Sequence, residues 1–370
     1  MDFSALSSLD VSIPAVPRGW YYLCRSKELN PGPVRRDLGK ARYVAFRGAS
    51  GRVTVLDGRC SHMGADLARG CVVDDALRCP LHAWEYSSDG TCRHIPTGGA
   101  IPVLARQAAF PSAELGGHVF FYNSPVPRFG MPFFSGKFPE ELLAAEPFDL
   151  VVKTPWYMVG ANAFDLQHFK VAHDRTLLDA PVVESPSPFA RRISAKYAVA
   201  GTSWRDAFTR RFSGPTVRMS VTVWGGTLLF VEAAFQRTTS YGMVSIRPID
   251  PDSAMMRTIV WVPRRGGAVA RMVVDPLDAW IRRGFIRRFV MDDAVRSEGV
   301  RYHPSTAIDA DRELGLYLAW LGSICTGQSE SSHLSQGGSC VSPSSSHTVD
   351  PGCSDLDRAA AVGADEAGRH

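Results

Sequence analysis

Two short patterns, CSH at 60–62 and CPLH at 79–82, each offer one thiolate and one imidazole. Residues 63 to 78 separate them. Two Cys with two His is a common structural zinc set, but zinc fingers keep the cysteines on one arm and the histidines on the other. Here each arm carries one of each. That mixed order suits a [2Fe–2S] centre in which two Cys hold one iron and two His hold the other. Cys60, His62, Cys79 and His82 are therefore the expected cluster ligands. Gly64 and Pro80 suit tight loops around them, and Trp84 stands where an indole shields the cluster from water.

A second constellation follows in NAFDLQHFKVAHD, which supplies Asn162, Asp165, His168 and His173. Asp165 and His168 share one face of a helix. His168 and His173 are five steps apart, roughly 140° around a regular helix. One metal gathers both only near a helix end or a local distortion. Two His and one carboxylate are the ligand set of mononuclear non-haem Fe(II) sites that leave positions open for O2. The carboxylate must come from elsewhere, and DAWIRRGFIRRFVMDDAVRSEG offers two neighbours. Asp292 lies four residues from both Arg288 and Arg296, a solvated ion-pair position. Asp293 follows Phe289 by four and Val290 by three, on the apolar face, where a carboxylate needs a partner such as a metal. Asp293 is the expected ligand and Asp292 the alternative.

These residues need elements to hold them. A chain of 370 residues, 45% hydrophobic, has length for two domains with buried cores. From Trp20 to Tyr122, runs such as ARYVAFRG, GRVTVLDG and GGHVFFYN read as short strands between Gly, Pro and Asp turns. A connector, PVPRFGMPFFSGKFPEE, leads to a helix over 155–174. MSVTVWGGTLLFVEAAF, YGMVSIRPI and MMRTIVWVPR then read as longer strands, with helices from about Pro276 to Gly299 and Asp309 to Leu321. Alternation in the first of these runs makes Met219, Val221, Val223, Trp224, Leu229 and Phe230 candidates for the wall of an apolar pocket. The fold class is α+β. Its parts are an arm (1–17), a small all-β domain (18–125), an α+β domain built on an antiparallel sheet (126–325) and a Ser/Gly-rich tail (326–370) expected to be disordered.

Some functions are excluded. The +4 charge is scattered, with no basic run to grip nucleic acid. The longest apolar runs, such as LGLYLAWLGSIC, are too short to span a membrane, and the N-terminus lacks the form of a secretory signal. A cytoplasmic location is expected. No GxGxxG opens a helix, so electrons from NAD(P)H must arrive through another protein. Arg282, Arg283, Arg287 and Arg288 read as a solvated helix face. His94 and His118 read as satisfied structural histidines, and Cys71 and Cys92 as core or turn residues. Cys325, Cys340 and Cys353 lack metal spacing.

The CxH and CxxH arms together with NxxDxxHxxxxH resemble the catalytic α subunits of Rieske non-haem iron oxygenases, over about residues 18 to 325. Respiratory Rieske proteins carry an extra cysteine in each cluster loop; here Ala65 and Leu81 stand there, so their disulfide cannot form. RSKEL, FRGASGR, CSHMGADLARG and HIPTG look most like the aminopyrrolnitrin oxygenase type, and the ketosteroid hydroxylase and sterol desaturase types share the layout. The resemblance implies a helix-grip-like catalytic domain, O2 as co-substrate, and a separate ferredoxin or flavin reductase. It implies a head-to-tail homotrimer in which Asp165 bridges a cluster histidine of the neighbouring subunit to an iron-bound histidine. The implied reaction is hydroxylation, N-oxygenation or desaturation of an apolar aromatic or heteroaromatic substrate in specialised metabolism, with a sterol as the alternative. An electron carrier or redox sensor with a non-catalytic second domain is the reading from a different class.

Overall fold

A computed structural model of the chain describes residues 13–326. The tail expected to be disordered, with Cys340 and Cys353, and most of the arm lie outside those residues.

Three small antiparallel sheets occupy residues 20–122. Trp20–Arg25, His118–Tyr122 and Ser112–Leu115 form one; Val34–Leu38, Ala41–Arg47, Val53–Asp57 and Ala109–Phe110 form the second. Cys71–Val73, Ala76–Arg78, Glu85–Tyr86 and Cys92–His94 form the third, which carries the cluster loops. Val44, Phe46, Leu56, Leu77 and Tyr86 pack with Cys60 and Cys79 into one core, so both candidate thiolates stand on a packed base.

The rest is built on a nine-stranded antiparallel sheet. Its path runs Leu142–Ala144, Ser253–Pro263, Thr239–Asp250, Leu228–Phe235, Thr216–Trp224, Ala190–Val199 and Arg175–Leu177. Among the described residues, five α-helices accompany it: α1 (Trp156–Ala161), α2 (Leu166–His173), α3 (Trp204–Phe212), α4 (Asp275–Arg296) and α5 (Arg312–Thr326). The long strands follow from their composition: Val, Ile, Thr and aromatic residues at alternating positions suit a pleated surface with one face buried. The two regions share a core. Trp20, Phe120 and Tyr122 pack with Phe230, Tyr241 and Trp261, and Ser245 Oγ accepts from the Tyr22 N–H at 3.0 Å.

Three expectations need correction. Residues 155–174 do not form one helix: α1 ends at Ala161, Asn162–Phe164 make a tight 3₁₀ turn, and α2 starts only after Asp165, which is extended. Asp165 therefore caps a helix rather than sharing a face with His168. Arg282 is not solvated; its guanidinium donates to Asp278, Thr238, the Thr239 carbonyl and Ser240, because α4 lies against the start of the Thr239–Asp250 strand. His118 is buried without a partner for Nδ1, and burial pushes its pKa down to about 4, so it is neutral filler. Helix α3 went unread because Trp204, Phe208 and Phe212 sit among four charged residues, and its apolar stripe is narrow.

Candidate functional site

The two cluster loops share one backbone design. Cys60 N–H donates to the Ala65 carbonyl (2.9 Å) and Gly64 N–H to the Cys60 carbonyl (2.8 Å). Likewise Cys79 N–H donates to the Trp84 carbonyl (2.8 Å) and Ala83 N–H to the Cys79 carbonyl (3.1 Å). Each loop turns through a left-handed residue four positions after its cysteine, Gly64 at φ +75° and Ala83 at φ +54°. Glycine adopts that conformation without steric cost; alanine does not.

Each loop closes on an arginine and an acid. Arg59 and Asp66 pair through their backbones. Arg78 and Glu85 are cross-strand neighbours whose side chains meet at 2.7 Å, and Arg93 reaches the same carboxylate at 3.0 Å. Burial alone would raise the Glu85 pKa, but the two guanidiniums outweigh it and hold the group below its ordinary range. Inside the loops, Cys60 Sγ lies 3.1 Å from Tyr86 Oη, which also meets Ser61 Oγ at 3.0 Å. His62 stacks flat on Trp84, with centroids 4.3 Å apart, and its ring lies 4.8 Å from that of His82. The thiols are buried and the imidazoles exposed. The four candidate ligand atoms do not gather within 4.8 Å of one another. A tetrahedral zinc ion, with bonds of about 2.0–2.3 Å, would need them closer; a wider two-iron group fits.

The second constellation converges more tightly. Asp165 Oδ1 caps α2 by accepting from the N–H groups of Gln167 (3.0 Å) and His168 (3.2 Å). Its carbonyl oxygen lies 2.6 Å from His168 Nδ1. A carbonyl only accepts, so Nδ1 carries the proton and Nε2 presents its lone pair. Burial lowers the His168 pKa, which also favours the neutral ring. Helix α2 ends at His173, where Asp174 turns left-handed at φ +51° and donates to the Phe169 carbonyl. Both histidines lie within α2, His168 near its start and His173 as its last residue, and their rings stand 5.4 Å apart.

Helix α4 completes the set. Phe289 stacks on the His173 ring at 3.5 Å and 13°. One turn later, Asp293 Oδ1 lies 2.7 Å from His173 Nε2 and 3.9 Å from His168 Nε2. His173 Nε2 is nonetheless buried without a hydrogen-bond partner. Nitrogen and oxygen aim at a common point rather than at each other, as metal ligands do. Among the described residues, His168, His173 and Asp293 alone form such a group. Asp292 points away and pairs with Arg288 at 3.2 Å. Asn162 places its amide nitrogen 3.4 Å from His168 Nε2.

A cavity of about 550 Å³ opens beside this group. Its wall is one face of α4, including Asp278, Arg282, Phe285, Phe289 and Asp293, with Ser297 just past its end. Its floor is one face of the sheet, reached by Met219, Val221, Leu229, Val231, Gly242 and Val244. Of the pocket residues expected from sequence, Met219, Val221 and Leu229 line it. Val223, Trp224 and Phe230 do not, and instead pack into the two cores beside it.

Residues 19–105 match the family model of the Rieske [2Fe–2S] domain. The chain carries a Rieske domain. Aminopyrrolnitrin oxygenase of Pseudomonas fluorescens is 36% identical over 168 residues, covering 42% of this chain and 45% of that protein. A probable 3-ketosteroid-9-alpha-monooxygenase oxygenase component of Rhodococcus rhodochrous is 36% identical over 121 residues, 32% of this chain and 30% of that one. Cholesterol 7-desaturase of Xenopus laevis is 39% identical over 177 residues, 45% and 38%. The Rieske chain thus aligns with less than half the length of each of these relatives. Its fold is that of Rieske oxygenases of known structure. Dicamba monooxygenase bound to dicamba superposes with a TM-score of 0.62 at 18% identity, covering 84% of this chain and 98% of that one. NdmA of Pseudomonas putida CBB5 with caffeine gives 0.63 at 20% identity, covering 84% and 91%.

Proposed function

We propose that this chain is the terminal oxygenase component of a Rieske-type non-haem iron oxygenase, with Cys60, His62, Cys79 and His82 holding the cluster and His168, His173 and Asp293 the mononuclear iron. The observation that carries the reading is the orphaned His173 Nε2. It converges with His168 and Asp293 at the edge of an apolar cavity, in a chain that also has a Rieske domain. When bound, the cluster supplies single electrons and the mononuclear iron activates O2.

The chain's own residues prepare that chemistry. Asp165 fixes the His168 tautomer through its carbonyl and stiffens α2 through one carboxylate oxygen. The other oxygen remains for a cluster histidine of a neighbouring subunit in a head-to-tail trimer. The exposed edges of His62 and His82, with Trp84 stacked behind His62, suit that contact. Asn162 offers an amide beside the open side of the iron site. The Val and Met floor and the face of α4 exclude water from an apolar substrate. Electrons come from a separate ferredoxin or reductase, and the chain works in the cytoplasm. No helix among the described residues is long and apolar enough to cross a membrane.

The test is substrate-dependent O2 uptake with a surrogate reductase, screened over aromatic amines and sterols. Uptake coupled to product supports the reading. A protein that reduces its cluster but consumes no O2 with any substrate would instead be an electron carrier.

A further inference from the structure

The cavity has a polar far end. Arg282 Nε donates to Asp278 Oδ1 (2.6 Å), and Nη1 donates to the Thr239 carbonyl (2.8 Å) and Ser240 Oγ (2.7 Å). Nη2 donates to Thr238 Oγ1. A guanidinium has five N–H groups, and these bonds use four. Thr238 and Ser240 accept from Arg282 and so keep their own hydroxyl protons to donate. Arg282, Thr238 and Ser240 all line the cavity. Their surplus is therefore of donors.

Charge at this end is balanced. Arg265 pairs with Asp275 and Asp278, and Asp278 with Arg282, two cations against two anions. A neutral acceptor fits better than a carboxylate. From Arg282 to Asp293 along α4 is about 16 Å at a rise of about 1.5 Å per residue. The alternating positions Ser240, Gly242 and Val244 carry the floor in the same direction. Between the two ends the wall is Phe285, Ile286, Phe289 and Val290.

The geometry points to an elongated, neutral, apolar substrate carrying one ketone or hydroxyl oxygen, held by Thr238, Ser240 and Arg282 about 16 Å from the metal group. This rests on the oxygenase reading and selects, within it, a long substrate over a compact one. Gly242 leaves the floor flat midway: a Cβ there would meet only the Val231 Cβ, at 3.8 Å.

Equilibrium dialysis on the full-length, metal-loaded protein tests it with three probes: 5α-androstan-3-one, 5α-androstane and cyclohexanone. The long ketone should bind about tenfold tighter than the hydrocarbon, and cyclohexanone at least about a hundredfold more weakly than the long ketone. Arg282→Leu with Thr238→Val and Ser240→Ala should abolish the ketone preference while androstane binding stays. Ala233 faces Ser240 across the strand pair, so Ala233→Leu should weaken both long probes about tenfold and leave cyclohexanone unchanged. Thermal melts check that each variant folds. Equal binding of ketone and hydrocarbon by the wild type, binding of no probe, or a preference that survives the triple substitution overturns the proposal. Dialysis needs no turnover. Absent O2 uptake with an intact ketone preference would sink the oxygenase reading and leave this one standing.

Discussion

Cys60, His62, Cys79 and His82 come from two neighbouring loops, each closed by its own backbone hydrogen bonds and by an arginine–acid pair at its base. His168, His173 and Asp293 come from two helices distant in sequence. They meet because His173 is the last residue of α2, where Asp174 turns left-handed, and because Phe289 stacks α4 onto His173. The first site is local and self-supporting; the second depends on tertiary packing. Damage to the cluster loops should therefore stay in them, and the iron group should be the more sensitive of the two to changes elsewhere in the fold.

The largest effect tests that separation from the cluster side. His62→Ala removes one proposed cluster ligand and should abolish the visible absorption of the [2Fe–2S] group, while metal analysis still finds about one iron per chain. Loss of all iron would show the sites to be interdependent. Next comes Asp165→Asn. Asparagine caps a helix as well as aspartate does, so α2 and both metal sites should persist. The lost charge and second acceptor should slow single-turnover electron transfer to the mononuclear iron about a hundredfold. Near-normal turnover with full iron would remove Asp165 from the electron route.

Smaller changes probe the loop bases. Glu85→Gln leaves Arg78 and Arg93 without their buried carboxylate and should cost about 2 kcal/mol in denaturant unfolding; both arginines reach solvent, which keeps the cost below that of a fully buried pair. Because the two guanidiniums depress the Glu85 pKa, this contribution is present above the ordinary Glu pKa and is lost as pH falls through the lowered one. The wild-type advantage over Glu85→Gln should therefore shrink in acid. Ala83→Gly relieves a left-handed alanine and should stabilise by about 0.5 kcal/mol, with no change at the iron site. Asp292→Ala breaks an exposed pair with Arg288 and should shift stability by less than about 1 kcal/mol.

This contrast also explains what was legible in the sequence. CxH and CxxH name a cluster because ligand spacing within a tight loop is fixed by the loop itself. The long strands were readable from β-branched alternation. The break before Asp165 was not, since Asn162 to His173 is compatible with helix throughout; the spacing of His168 and His173 pointed only to a helix end, which falls at His173. Asp293 was separable from Asp292 by its apolar neighbours Phe289 and Val290, which are the residues that seat α4. Arg282 misled because it stands with Arg283, Arg287 and Arg288 on what looks like one solvated face; its partners Thr238 and Ser240 come from the start of a strand that sequence spacing does not connect to it. Val223 and Phe230 lie on strands that do reach the cavity. Alternation identifies a buried face but not whether a cavity or a neighbouring core covers each position.

The most direct test is metal analysis of Asp293→Ala beside the wild type, with the EPR spectrum of the reduced cluster. The account predicts about three irons per wild-type chain and about two in the variant, with the low average-g signal of mixed His and Cys ligation the same in both. Stoichiometric zinc in a colourless wild type, or an Asp293→Ala chain that keeps its third iron, would contradict it.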